Sequence, residues 1–164
     1  MTRATPQITI LPADPAESAT LTRIAFAAKG HWNYPAEYFA IWRDELTVTP
    51  EYIASHRVFT ARLHDVPVGM YALALADGQL YLDHLWVDPP HIGQGIGFRL
   101  VSHAKATASA AGFTRLKILA DPHAAGFYRK VGAIQDGWFQ SNIPGRLLPI
   151  FYLGTIAEKN GERS

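Results

Sequence analysis

No cysteine occurs in the 164 residues, and that absence removes disulfide frameworks, thiolate metal sites and a cysteine nucleophile together. It is also the usage of a reducing compartment, and the expected location is the cytoplasm. Charge of one sign is scarce as well, since 15 Lys and Arg against 14 Asp and Glu leave a formal net charge of +1. Without a basic run or a basic stripe with interleaved aromatics, the chain has no field for holding a phosphate backbone, so nucleic acid is not an expected partner. Apolar runs are short. The opening MTRATPQITILPADP holds no stretch of signal-peptide length, and no segment has enough consecutive apolar residues to span a bilayer, so no membrane partner is expected. The 7 histidines are scattered and HExxH is missing, which leaves no ligand spacing and no expected metal. GxSxG is missing too, so a serine hydrolase of the elbow type has no support.

What is present is the balance of a folded domain, with 48% hydrophobic and 18% charged residues. The length suits one domain, expected over 1–157, followed by a polar tail over 158–164 expected to be disordered. Alternation predicts a strand over 7–11, ended by Pro12. Helical spacing of Leu21, Ile24, Ala25 and Ala28 predicts a helix over 17–29, stopped by Gly30. Pro35 opens a second helix through Leu46 with an aromatic face, and Thr49 caps a short third over 51–55. Strands over 58–63 and 68–75 form a hairpin about residues 64–67, and Asp77 and Gly78 turn the chain into a third strand over 79–87. A helix over 98–111, a strand over 115–120, a helix over 124–131 and strands over 133–141 and 147–153 complete the pattern. A meander feeding a strand, helix, strand unit gives an α/β (α+β) mixed sheet with helices on both faces.

The informative segment is VDPPHIGQGIGFRLVSHA, where glycines 93, 95 and 97 alternate between a strand end and a helix start. A helix start leaves backbone N–H groups unpaired and carries the positive end of the helix dipole, so it attracts an anion such as a diphosphate. The triphosphate loop GxxxxGK[ST] is absent. The dinucleotide fingerprint GxGxxG fails as well, because its third glycine falls on Phe98 or Leu100.

Here the sequence resembles the GNAT superfamily of N-acetyltransferases, whose acyl-CoA loop reads Arg or Gln, x, x, Gly, x, Gly or Ala after a strand and Val, x, Pro. Val87, Asp88 and Pro89 precede the loop, and Gly95 and Gly97 take the two small positions. Asp121, Ala124, Phe127, Tyr128, Lys130, Gly132 and Ala133 overlie a second family pattern at the right distance. The resemblance runs from about Val58 to Leu153. It implies a largely antiparallel seven-stranded sheet flanked by helices, acetyl-CoA as co-substrate, and direct transfer of acetyl to a primary amine in a ternary complex. The acceptor is a small-molecule amine or a protein lysine or N-terminus, and the protein is a monomer or homodimer. An acyl-CoA-binding module without turnover is the competing reading. Two positions depart from the family: Ile92 stands where Arg or Gln is usual, with Gln94 as a partial substitute, and Asp121 stands where Asn is usual.

The resemblance implies a CoA site of Leu85, Trp86, Val87, Ile92, Gly93, Gln94, Gly95, Ile96, Gly97, Phe98, Asp121, Ala124, Phe127 and Tyr128. Leu85 and Val87 pair with the pantetheine arm as an added strand. Amides near Leu85 and Trp86, where the family's strand bulges, hold the oxyanion.

Thioester aminolysis needs a neutral amine, and an alkyl amine titrates near ~10.4 against ~8.5 for the departing thiol, so a base matters at least as much as an acid. Tyr128 is the expected acid. Asp83 and His84 are the candidate bases; as neighbours on a strand they are expected to point to opposite faces, so that only one reaches a given pocket. His31, Trp32 and Tyr34, between the first two helices, and Arg146, in SNIPGRLLP, are the further candidates for the acceptor, with Asp83. The bland alternatives are aromatic packing for the first three and a solvated loop for Arg146.

Overall fold

Two tight turns organise the centre of the molecule. His64 and Asp65 both take left-handed backbone angles (φ 49° and 64°), as do Asp77 and Gly78 (φ 52° and 71°), the geometry that lets a two-residue loop follow the twist of the strands it joins. They connect β2 (Arg57–Leu63), β3 (Val66–Ala76) and β4 (Gln79–Val87). The first turn is tighter than the sequence suggests, because Val66 and Pro67 already pair with Leu63 and Arg62. The computed structural model describes residues 7–156, so the tail over 158–164 lies outside the described residues.

Preceding the meander are β1 (Thr9–Pro12), α1 (Ser18–Gly30), α2 (Ala36–Leu46) and α3 (Pro50–Ser55). Thr49 caps α3 as its sequence implies, accepting from Tyr52 N–H at 3.0 Å. After the meander come α4 (Ile96–Ala110), β5 (Arg115–Leu119), α5 (Ala125–Lys130), β6 (Ile134–Gln140) and β7 (Leu147–Gly154). The last helix is split, since a single 3₁₀ turn at Pro122–Ala124, capped by Asp121, precedes it.

The seven strands form one sheet in the order β1-β2-β3-β4-β5-β7-β6. Alternation sends side chains to two layers. Val68, Tyr71 and Leu73 of β3 pack with Ile96, Leu100, Val101 and Ala104 of α4, while Met70 and Ala72 pack with Leu21 and Ile24 of α1 and Ile53 of α3. α2 closes a further small core through Trp42 and Leu46. The expected mixed sheet with helices on both faces is therefore what forms. All neighbouring strands are antiparallel except β4 and β5, which run parallel and meet only at Tyr81 and Lys117. Beyond that point the two strands part and leave a cleft between them.

Candidate active site

A cavity of about 940 Å³ occupies this gap. One wall is the second half of β4, the other is Ile118 to Asp121, and the floor is the loop into α4. Leu85, Trp86, Val87, Ile92, Gly93, Gly95, Ile96, Gly97, Phe98, Asp121, Ala124, Phe127 and Tyr128 all line it; Gln94 does not. Of the acceptor candidates, Trp32, Asp83 and Arg146 are in the wall, whereas His31 and Tyr34 are not.

Gly95 begins α4 with φ 77°, and no side chain caps the helix. The first hydrogen bond of the helix runs from Arg99 N–H to Gly95 O at 3.2 Å, so the N–H groups ahead of Arg99 are left for an anion. Gly97 packs closely for a different reason, since a Cβ there would sit 3.3 Å from the Phe127 ring, which would have to shift by a few tenths of an ångström. Gly95→Val puts a β-branched residue at a left-handed angle and turns those N–H groups aside. It should weaken CoA binding about tenfold or more by calorimetry; an unchanged Kd would remove the loop from the account.

β4 carries the main surprise. Ala72 pairs with His84 but Leu73 with Leu82, so Asp83 is an extra residue, a β-bulge. The bulge resets the alternation, and Asp83 and His84 share one face instead of opposite ones, both lining the cavity and both touching Tyr52. It also falls two residues before the Leu85 and Trp86 positions implied by the resemblance, which pair regularly with Tyr71 and Met70. The sequence holds the signal. Leu80 and Leu82 face the α4 layer, and so do Leu85 and Val87, so the apolar period slips from two to three between Leu82 and Leu85.

Tyr52 of α3, not anticipated from sequence, donates to Asp83 Oδ2 at 2.5 Å. Burial first, and then the Asp83 charge, raises the Tyr52 pKa, so its proton stays on oxygen. His84 Nε2 lies 3.8 Å from the same Oδ2. Its other nitrogen, Nδ1, accepts from the Trp86 indole N–H at 2.9 Å. An indole N–H only donates, so Nδ1 is the bare nitrogen and the ring's proton is on Nε2. Burial pulls the His84 pKa below its usual value, with Asp83 pulling the other way. His84 is thus a neutral donor whose lone pair is already used, while Asp83 Oδ1 has no partner among the described residues.

Tyr128, on α5, is buried against Phe127 and Phe151. Burial, followed by the Asp121 charge, raises its pKa, and it remains a phenol at neutral pH. Asp121 itself accepts from Lys29 Nζ (2.7 Å), Tyr34 Oη (2.7 Å) and His123 N–H (2.9 Å). Burial alone would raise its pKa, but Lys29 and these hydrogen bonds outweigh it and hold the carboxyl below its ordinary value. Lys29 is lowered because burial outweighs the attraction of Asp121. Trp32 stacks on His123 at 4.8 Å, so the segment between α1 and α2 is fastened to the turn after β5. Lys29 was legible only as a helix-end lysine; its partner lies 92 residues away.

A parted parallel pair of strands, a glycine-started helix beneath it and a carboxylate and a phenol in one cavity are an arrangement that can seat an acyl thioester beside an amine. The Acetyltransferase (GNAT) family profile matches residues 21–133, and the chain belongs to that family: it is an N-acetyltransferase that uses acetyl-CoA. The peptidyl-lysine N-acetyltransferase YjaB of Salmonella typhimurium is 32% identical over 120 residues, 73% of this chain and 74% of that protein. Among solved structures, the PaiA N-acetyltransferase of Thermoplasma acidophilum in complex with coenzyme A is similar with a TM-score of 0.76 at 18% identity, covering 90% of this chain and 99% of that one. A GNAT family acetyltransferase of Brucella melitensis in complex with acetyl-CoA has a TM-score of 0.61 at 20% identity, covering 92% and 89%; at these identities the likeness is one of fold. Among the described residues no His, Cys, Asp or Glu group is placed to hold a metal ion, and no helix is long and apolar enough to cross a membrane.

Proposed function

We propose that residues 1–157 act as one domain that acetylates a primary amine by direct attack on the thioester, with Asp83 as base and Tyr128 assisting the leaving sulfur. The observation that carries this reading is the bulge at Asp83, which places this carboxylate, with one oxygen free of partners among the described residues, in the wall of the cavity that Tyr128 and the glycine loop also line. The loop N–H groups hold the CoA diphosphate, and the pantetheine arm lies against Leu85 and Val87 in the gap. Asp83 draws in the cationic amine and takes one proton from it through water, which frees the nitrogen lone pair to bond to the carbonyl carbon. Charge then builds on the carbonyl oxygen, where N–H groups near Leu85 and Trp86 stabilise it. Collapse re-forms the carbonyl, expels the thiolate and releases the second nitrogen proton to solvent, while Tyr128 donates a hydrogen bond to the sulfur. A phenol with a raised pKa is a weaker acid than a thiol near ~8.5, so Tyr128 supports the thiolate without surrendering its proton.

His84 is a positioning group in this scheme. Tyr52 fixes Asp83 through Oδ2 and leaves Oδ1 for the amine, and His84 packs edge-on against the Tyr52 ring at 5.5 Å. Thiol release from acetyl-CoA with a mixed amine panel tests the reading. Tyr128→Phe should lower kcat about 10- to 100-fold with the Kd for CoA within twofold. No release with any amine, or a Phe variant as fast as the parent, would overturn it. Transfer to a protein lysine is a second reading, favoured by the 32% identity to an enzyme named for peptidyl-lysine.

A further inference from the structure

On the β5 side of the cavity two cations share one carboxylate. Lys29 Nζ and Arg146 Nη2 lie 2.7 and 3.4 Å from the same Asp121 oxygen, and the lysine, arginine and aspartate side chains are 11%, 14% and 13% exposed. Asp121 is saturated, since Tyr34, Lys29, His123 N–H and Arg146 use the roughly four acceptor positions a carboxylate offers. Arg146 is not saturated. Its Nη2 bonds Tyr34 Oη at 3.1 Å and Asp121, while no described residue accepts from Nε or Nη1, and neither nitrogen is sealed from solvent.

The guanidinium is also held still. It lies over the Tyr34 ring at 4.8 Å and the Trp42 ring at 5.3 Å. The loop that carries it is tied by Gln140 Nε2 to the carbonyls of Ser141, Ile143 and Arg146, and Ile143 is buried against Ala25, Trp42 and Leu46. Asp44 and Glu45 also line the cavity, both from exposed positions, and Asn142 donates to Glu45 at 2.7 Å. A fixed, partly buried guanidinium with unspent N–H groups suits the two oxygens of a carboxylate.

We infer that the acceptor is a small molecule bearing a carboxylate as well as its primary amine, the carboxylate seated on Arg146 beside Lys29 and the amine at Asp83. This rests on the amine-acetylation reading above. Its test compares matched pairs, an amino acid and the amine left by its decarboxylation, together with a lysine peptide blocked at both ends. The acid of at least one pair should be preferred about tenfold or more in kcat/KM, mainly through KM. Arg146→Gln should abolish that ratio and Arg146→Lys should keep part of it. Acids and amines used equally, a ratio unchanged by Arg146→Gln, or preference for the blocked peptide would overturn the inference.

A binding readout separates its failure from that of the amine reading. On the CoA-loaded protein, calorimetry should give an N-acetyl amino acid about tenfold tighter binding than its amide, with the difference lost in Arg146→Gln. That result without turnover of any amine would leave the anion site standing and end the amine reading. Equal binding of acid and amide would end the anion site whatever the turnover.

Discussion

Asp83→Asn should reduce kcat/KM about 10²- to 10⁴-fold, the range for loss of a general base, while the Kd for acetyl-CoA stays within twofold. The amide keeps the shape of the side chain and can still accept from Tyr52, so what it removes is the ability to take a proton. Tyr52→Phe should cost less, about tenfold, because the carboxylate survives but loses the donor 2.5 Å from Oδ2 that sets its orientation. His84→Gln belongs with Tyr52→Phe. Its lone pair is occupied by Trp86, and its part is to pack against Tyr52, which orients Asp83, rather than to take the proton. Steady-state kinetics on the three variants decides the matter. A His84 variant far slower than Asp83→Asn would reverse the two roles.

The second large effect is on stability. Asp121→Ala leaves Lys29 and Arg146 partly buried without their shared anion, and breaking a buried pair in this way costs about 3–5 kcal/mol. For a chain of this size that is a fall in Tm of roughly 6–20 °C. Adding Lys29→Met should restore part of it by removing one uncompensated charge. The pH dependence follows from the depressed carboxyl. A folded-state value below the unfolded ~3.9 contributes stability that is whole above ~3.9 and is lost as pH falls through the folded value. The gap between parent and Asp121→Ala should therefore be full at neutral pH and shrink in acid below pH ~4. Denaturant unfolding at the two pH values measures it; a gap independent of pH would mean the charge of Asp121 plays no part.

The elements that could be read from sequence are those set by local rules. Asp77 and Gly78 marked the second meander turn, Thr49 marked a helix start, and the glycines at 93, 95 and 97 marked the loop into α4, while the first meander turn was legible only as the wider segment 64–67. The arrangement around Asp83 escaped because strand reasoning assumes strict alternation. One inserted residue in QLYLDHLWV overturns that assumption, although the slip from Leu82 to Leu85 recorded it. The cluster at Asp121 escaped for another reason. Its members come from the end of α1, the segment before α2, the turn after β5 and the loop before β7, and no local pattern says that residues 29, 34, 121 and 146 meet. The aspartate at a position where the family usually has asparagine is accounted for by those neighbours. It balances Lys29 and Arg146, and the same charges make Arg146 a fixed feature of the wall rather than a solvated loop residue.

Solving the complex with CoA and an amine analogue tests the central claim most directly. The diphosphate should rest on the N–H groups at the start of α4, with the sulfur within hydrogen-bond reach of the Tyr128 hydroxyl and the amine nitrogen on Asp83 Oδ1, directly or through one water. A pantetheine arm lying outside the gap between β4 and β5, or a sulfur that neither residue can approach, would contradict it.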